Sequence, residues 1–332
     1  MIHMRMPVSK EILKAKEWLH GADHICVVGH ESPDGDAVGS VLGMTWALRT
    51  IGKKVSSSLP DDVPASFSFL PGSEDIINDI PPDADMLVSV DSADLDRLGV
   101  LVEKLAAPID INIDHHISNS NFAIINLVDS ETAATAEYLV GLLTLLGLSM
   151  NDKVAKCLLT GLVTDTLGFR TSSTRSETLS AAHHLMQYDV SLHDIYHRTL
   201  HRRSYEATKL WGQALGNVSF EDGLVWTQVT LEGKADIGYT ARGDADVVSQ
   251  LTAIEGTEVA VVFVERANSE VKISWRSLNG IDVADVARGF GGGGHQAAAG
   301  ASIYGTNLER AQDVVLERTR EAMHKYRTKF TA

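Results

Sequence analysis

Apolar residues in the first 190 positions fall in two alternating textures. A short unbroken run at 25–29 lacks polar alternation, and 55–59, 86–90, 109–113 and 122–128 are the further strand candidates. Runs of that kind predict strands buried on both faces of a parallel sheet. Positions 37–51, 132–146, 154–163 and 176–188 instead carry helical spacing, and 9–19 reads as a short amphipathic helix capped by Ser9. Alternating strands and helices predict an α/β domain over 1–190. The most apolar stretch, 138–150, is shorter than the ~20 residues a membrane span needs, so it reads as a buried helix.

The texture then changes. Residues 191–216 are helical in spacing but polar and rich in His and Arg. A helix polar on all sides often bridges domains, and this one is read as a helical linker. Beyond it, 218–220 and 224–229 flank Glu221-Asp222-Gly223, a hairpin signal, and 258–264 pairs with 271–275 around Ala267-Asn268-Ser269. Helices fit 245–254, 283–287 and 308–325. The prediction is a smaller α+β domain over 217–332.

Composition narrows the function. Among 332 residues, 44 Asp and Glu outnumber 29 Lys and Arg, for a net charge of -15. That balance argues against a long groove for DNA, which calls for a basic surface. It leaves room for small anions gripped by a few local cations or metal ions. Cys26 and Cys157 lie far apart among apolar neighbours, so they make no disulfide framework and fit a reducing cytoplasm. Residues 1–7 have no apolar core, and 11–18 are too charged for a signal peptide. No membrane association is expected.

The candidate chemistry lies where Asp and His meet the ends of the predicted elements. His30, Asp34 and Asp36 follow the first run, Asp91 ends the third, Asp114-His115-His116 ends the fourth, and Asp165 follows the helix at 154–163. Ligands of a parallel α/β sheet collect outside the carboxyl ends of its strands, so these groups are expected to converge. Acids so close repel one another unless cations lie between them. Oxygen donors with a minority of imidazole and no thiolate suit Mn²⁺ or Mg²⁺. A pair of such ions activates water and clamps a phosphoryl group.

His30-x-x-x-Asp34-Gly-Asp36, Val90-Asp91-Ser92-Ala93-Asp94, Asp114-His115-His116 and Gly161-Leu-Val-Thr-Asp165-Thr-Leu-Gly168 together resemble the four motifs of the DHH phosphoesterase family. The glycine-rich segment near 290 resembles that family's usual C-terminal partner domain. Within the family, the length and two-domain layout are similar to the nano-RNases, which degrade very short oligonucleotides and dephosphorylate 3′-phosphoadenosine 5′-phosphate. The resemblance implies two divalent cations, Mn²⁺ first and Mg²⁺ second. It implies His30, Asp34 and Asp91 as ligands of one ion, and Asp36, Asp91, His115 and Asp165 as ligands of the other. It implies that Asp114 orients an imidazole and that His116 faces the scissile phosphate. Arg97 lies near the cluster in sequence and is left outside the site. Relatives often dimerise, so a homodimer is an expectation.

Gly289-Phe290-Gly291-Gly292-Gly293-Gly294-His295 fits a dinucleotide fingerprint only superficially, because it follows a helical segment and not a strand. A P-loop fails too, since His295-Gln296 replaces Lys and Ser/Thr. The run is read as an anion nest of backbone N–H groups, with 297–299 opening a helix behind it. Arg276 adds a guanidinium, and Ser277 and His295 add donors. Strand alternation points Trp275 away from Arg276. The substrate is expected to lie with its scissile phosphate on the metals and its other end on Arg276, Ser277, Gly291, Gly292, Gly293, Gly294 and His295. His193, His197 and His201 recur at four-residue spacing without a carboxylate to complete a metal site, and are read as a solvated face. Two rivals stay open: a cyclic-dinucleotide (c-di-AMP type) phosphodiesterase and a nucleotide-binding protein without catalysis.

Overall fold

The computed structural model describes residues 8–330 apart from residue 242. Residues 1–7, read above as lacking a signal-peptide core, lie outside it. The chain divides into two compact units between Arg202 and Arg203.

The first unit holds β1 (His24–Val28), β2 (Lys54–Ser58), β3 (Met86–Val90), β4 (Ile111–Asp114) and β5 (Ile125–Val128). All pair parallel in the order β2-β1-β3-β4-β5. This is a doubly wound arrangement whose strand order reverses beside β1, between β1 and β3. The runs predicted as buried strands are buried: every residue of β1, β3 and β4 is. Its helices are α1 (Lys10–Gly21), α2 (Gly35–Arg49), α3 (Thr135–Leu146), α4 (Asp152–Asp165), α5 (Ser176–Leu185) and α6 (Leu192–Tyr196).

The packing of α2 on α4 decides where the acids go. An added Cβ on Gly39 would meet the Cys157 carbonyl oxygen at 2.6 Å, and one on Gly161 would meet Asp36 Oδ1 at 2.5 Å. Missing side chains at these two positions let the backbones approach closely. Asp36 at the start of α2 and Asp165 at the end of α4 are thereby drawn to the same end of the unit.

Residues 191–216 are two helical pieces. α6 runs into a π-helical turn, His197–His201, within the first unit. The second unit opens with α7 (Tyr205–Gly216). It continues with β6 (Ser219–Glu221), β7 (Leu224–Val229), α8 (Leu231–Ile237), α9 (Val247–Leu251), β8 (Val259–Arg266), β9 (Glu270–Ser277), α10 (Val283–Arg288), β10 (Gly293–His295), β11 (Ala298–Tyr304) and α11 (Leu308–Phe330). The sheet is mixed, in the order β10-β11-β9-β8-β7-β6, with β7 and β8 parallel. One apolar cluster joins Val261, Phe263, Ile273 and Trp275 to α10 and α11. The other joins Ala260, Val262 and Val264 to α7 and α9.

The expected helix at 297–299 is not formed. His295 pairs with Ala298 across a two-residue turn, and β11 continues to Tyr304 as the antiparallel partner of β9. The glycines serve that pairing: a Cβ on Gly294 would meet the Ala298 carbonyl oxygen at 2.5 Å. A strand partner one turn away captures the alanines before any helix can nucleate there.

Candidate metal centre

The acids and imidazoles of the centre come from four separate segments of the first unit. His30 and Asp34 lie in the turn after β1, and Asp34 caps α2 by accepting the N–H groups of Asp36 and Ala37 at 3.0 Å each. Asp91 follows β3 with a left-handed φ of 58°, a conformation Asp tolerates better than most side chains. Asp114 closes β4, with His115 and His116 behind it, and Asp165 ends α4.

Two separate donor groups result, His30 with Asp34 and Asp91, and Asp36 with His115 and Asp165, and a third, Asp91 with His115 and His116, overlaps both; the donor atoms of each lie within 4.8 Å of one another. His30 Nε2 stands 3.6 Å from Asp91 Oδ2 and 3.9 Å from Asp34 Oδ1. His115 Nε2 stands 3.6 Å from Asp165 Oδ2 and 3.8 Å from Asp91 Oδ1. Asp91 therefore faces both groups. The sequence-predicted ligands are all brought together, and their carboxylate and imidazole donors suit a hard divalent cation.

The second nitrogens of the rings are held by other partners. His30 Nδ1 lies 2.7 Å from the Glu31 carbonyl oxygen, and His115 Nδ1 lies 3.3 Å from that of Thr132. Such bonds fix which nitrogen faces a metal. Asp114 holds His116, with Oδ1 to Nδ1 at 2.7 Å.

The electrostatics are those of crowded, buried acids. Burial, then the Asp91, Asp165 and Asp34 carboxylates, push Asp36 well above the usual range. Burial, then Asp91 and Asp34, push Asp165 up to about 8. Burial also acts upward on Asp91, but the three imidazoles of His30, His115 and His116 outweigh it and bring that group down to about 2. Burial acts downward on His116, and the Asp114 bond with the Asp91 charge overrides it, to about 9.

Several partners escaped the sequence reading. The Thr135 hydroxyl donates to Asp91 Oδ1 at 2.9 Å, and the N–H groups at the start of α3 reach Asp36. No spacing rule links positions so far apart. Arg97, left outside the site, lies with its guanidinium 3.2 Å from His30 Nδ1. Asn119, three residues after His116, was open to reading as a turn residue.

In the second unit, His295, Ala298 and Arg276 stand in one cross-strand row. Arg276 and His295 thus share a face of the sheet, flanking a small side chain. Ser277 faces the other way with Trp275, buried, and its hydroxyl has no partner among the described residues. The nest reading needs correction for Gly291 and Gly292. Their N–H groups donate to the Arg288 and Ala287 carbonyls at 3.1 and 3.0 Å, closing the end of α10, and are not open to an anion. Trp275 is core, as alternation predicted, with its indole N–H on Thr319. His193, His197 and His201 are exposed, and they join no metal-holding group among the described residues.

A doubly wound sheet with acids and imidazoles at its switch point, followed by a mixed-sheet unit, defines a two-unit α/β protein whose clustered donors suit divalent cations. Residues 24–162 match the model of the DHH family N-terminal domain, and 230–321 match that of the DHHA1 domain. A bifunctional oligoribonuclease and PAP phosphatase NrnA from Thermus thermophilus is 38% identical over 96% of this chain and 94% of its own length. One of the same name from Bacillus subtilis is 29% identical over 85% of this chain and 90% of its own. The crystal structure of an exopolyphosphatase-related protein from Bacteroides fragilis superposes with a TM-score of 0.88 at 27% identity, covering 98% of this chain and all of that one. The chain belongs to the DHH family and carries a DHHA1 domain.

Proposed function

We propose that the protein is a phosphoesterase that uses two divalent cations, Mn²⁺ before Mg²⁺, to hydrolyse very short oligoribonucleotides and 3′-phosphoadenosine 5′-phosphate. The observation that carries this reading is the pair of donor groups with Asp91 facing both. The names of the relatives give the substrate class.

His30, Asp34 and Asp91 would hold one ion, and Asp36, Asp91, His115 and Asp165 the other. Bound there, the ions supply Lewis-acid stabilisation of a phosphoryl group and lower the pKa of water. The protein's own groups do the rest. With Nδ1 committed to Asp114, His116 has Nε2 free to protonate a leaving oxygen. In the second unit, Arg276 and His295 bind the part of the nucleotide that does not react, the guanidinium taking a phosphate. Gly293 leaves the surface beside His295 bare, and Gly294 lets the hairpin close behind it. Ser277 supports the same strand end through its N–H on the Ala297 carbonyl at 2.8 Å.

The test is a substrate panel on Mn²⁺-reconstituted protein, read by product chromatography. A diribonucleotide should yield mononucleotides, and 3′-phosphoadenosine 5′-phosphate should yield AMP and phosphate. Turnover of cyclic di-AMP alone would replace this substrate class, and no turnover of any member would reject the enzyme.

A further inference from the structure

Asn119 belongs to none of the donor groups, yet every polar atom of its side chain is committed. Nδ2 donates to Asp114 Oδ2 at 2.6 Å and to the Ser92 carbonyl at 3.2 Å, and Oδ1 accepts the Asn121 N–H at 2.8 Å. The opposite amide orientation would set oxygen against a carboxylate oxygen, so this one is fixed by chemistry. The Asn119 N–H also donates to the His116 carbonyl at 3.1 Å, closing the turn from 116 to 119. One short turn thus carries the imidazole and the amide that steadies the imidazole's partner.

Asp114 is fully buried. Its two oxygens are divided between His116 and Asn119, each through a bond under 2.8 Å. A buried carboxylate with one oxygen released is free to turn about its last torsion, and the ring bonded to its other oxygen turns with it.

We propose that Asn119 is a positioning residue for His116, acting through Asp114 to aim the free Nε2 of the ring at the leaving oxygen. This rests on the proposed role of His116 as proton donor. The same chain also passes through Ser92, the residue after Asp91, so the turn is tied to the loop that carries the shared ligand. Asn119 does this without offering an atom to a cation.

The discriminating comparison is between leaving groups. A ribose hydroxyl needs a proton as it departs, whereas p-nitrophenolate does not. In Asn119→Ala, kcat on a diribonucleotide should fall about tenfold to a hundredfold with KM nearly unchanged, because aim is lost and binding is kept. On bis-p-nitrophenyl phosphate the loss should be less than about threefold on the same reasoning. Bound Mn²⁺ per chain should equal that of wild type. In metal-free, ¹⁵N-histidine-labelled protein, the Nδ1 proton of His116 should be slowed in exchange by its Asp114 bond, and Asn119→Ala should remove that protection. Where Asn119→Ala does not fold, Asn119→Ser serves, since it shortens the side chain away from Asp114 while keeping a turn former. Equal losses on both substrates, a drop in bound metal, or an unchanged His116 proton would overturn the proposal. His116→Ala is the control that separates the two claims. If it shows the leaving-group split and Asn119→Ala does not, Asn119 alone is wrongly assigned. If His116→Ala shows no split, the proton-donor role fails and the positioning role with it.

Discussion

The carboxylate of Asp36 accepts the backbone N–H of Thr135 at 2.6 Å, across 99 positions of sequence. Its other oxygen takes the Ala136 N–H at 3.0 Å. A group placed to bind a cation therefore also satisfies two donors that the first turn of α3 cannot pair internally. Asp165 carries no such backbone donor among the described residues.

The two ligand substitutions should consequently part company in metal-free protein. Asp36→Ala orphans buried N–H groups, at about 1–3 kcal/mol for each one left unsatisfied. Asp165→Asn removes the carboxyl whose ionisation burial and the neighbouring acids oppose, and orphans nothing, so it should match or exceed wild-type stability. Both should nearly abolish turnover. Urea unfolding in EDTA checks the first part, and equal destabilisation by the two changes would contradict it.

Stability of the metal-free protein should fall as pH rises through neutrality. Asp165 has a folded pKa raised to about 8, against about 4 unfolded, so its contribution is complete below the lower value and lost as pH passes the higher. His116, raised to about 9 from about 6.5, acts in the same direction over its own window. Asp91, lowered to about 2, opposes them only in acid, where its contribution is lost. Denaturation midpoints in EDTA should therefore decline from pH 6 to pH 9. Saturating Mn²⁺ should flatten the decline, because cations replace the protons. A flat EDTA profile would mean that the acids are not crowded as described.

The ends of the strands were legible in the sequence because a strand buried on both faces needs a run rich in apolar residues. The first polar residue after it then marks the rim. His30, Asp91 and Asp114 all follow such runs. The approach of α2 to α4 was not legible, because nothing in the spacing of Gly39 and Gly161 says that they face each other. The hairpin of β10 and β11 was missed for a different reason. A glycine run has no alternation, and its strand identity comes from Ala299 and Gly300 across the ladder. The contact between Asn119 and Asp114 is local, but a turn asparagine carries no mark of what its amide will reach.

Gly292→Ala should damage the second unit selectively. The added methyl would collide with the Gly300 carbonyl oxygen and with Ala301, so β10 would have to leave β11. Activity on a diribonucleotide should fall while metal content stays at the wild-type level. A drop in bound Mn²⁺ with an intact second unit would contradict that division.

Arg276→Ala tests where the unreacting end of the substrate is held. A charge-assisted contact to phosphate contributes about 1.5–3 kcal/mol, or roughly ten- to a hundredfold in kcat/KM. The loss should appear on diribonucleotides and on 3′-phosphoadenosine 5′-phosphate. It should be much smaller on bis-p-nitrophenyl phosphate, which has no far end to hold. A uniform loss across all three would place Arg276 in the chemistry instead.

The central claim is a metal-dependent hydrolysis confined to very short nucleotides. The most direct measurement is the cleavage rate along a ladder of 5′-labelled RNAs from two nucleotides upward, on EDTA-stripped protein before and after Mn²⁺ is added. The account predicts no cleavage before addition. After addition it predicts rates that are highest for the shortest members and drop steeply with length, since a chain with a net charge of -15 repels the phosphates of a longer strand. Cleavage that persists in EDTA, or equal rates along the whole ladder with Mn²⁺, would contradict it.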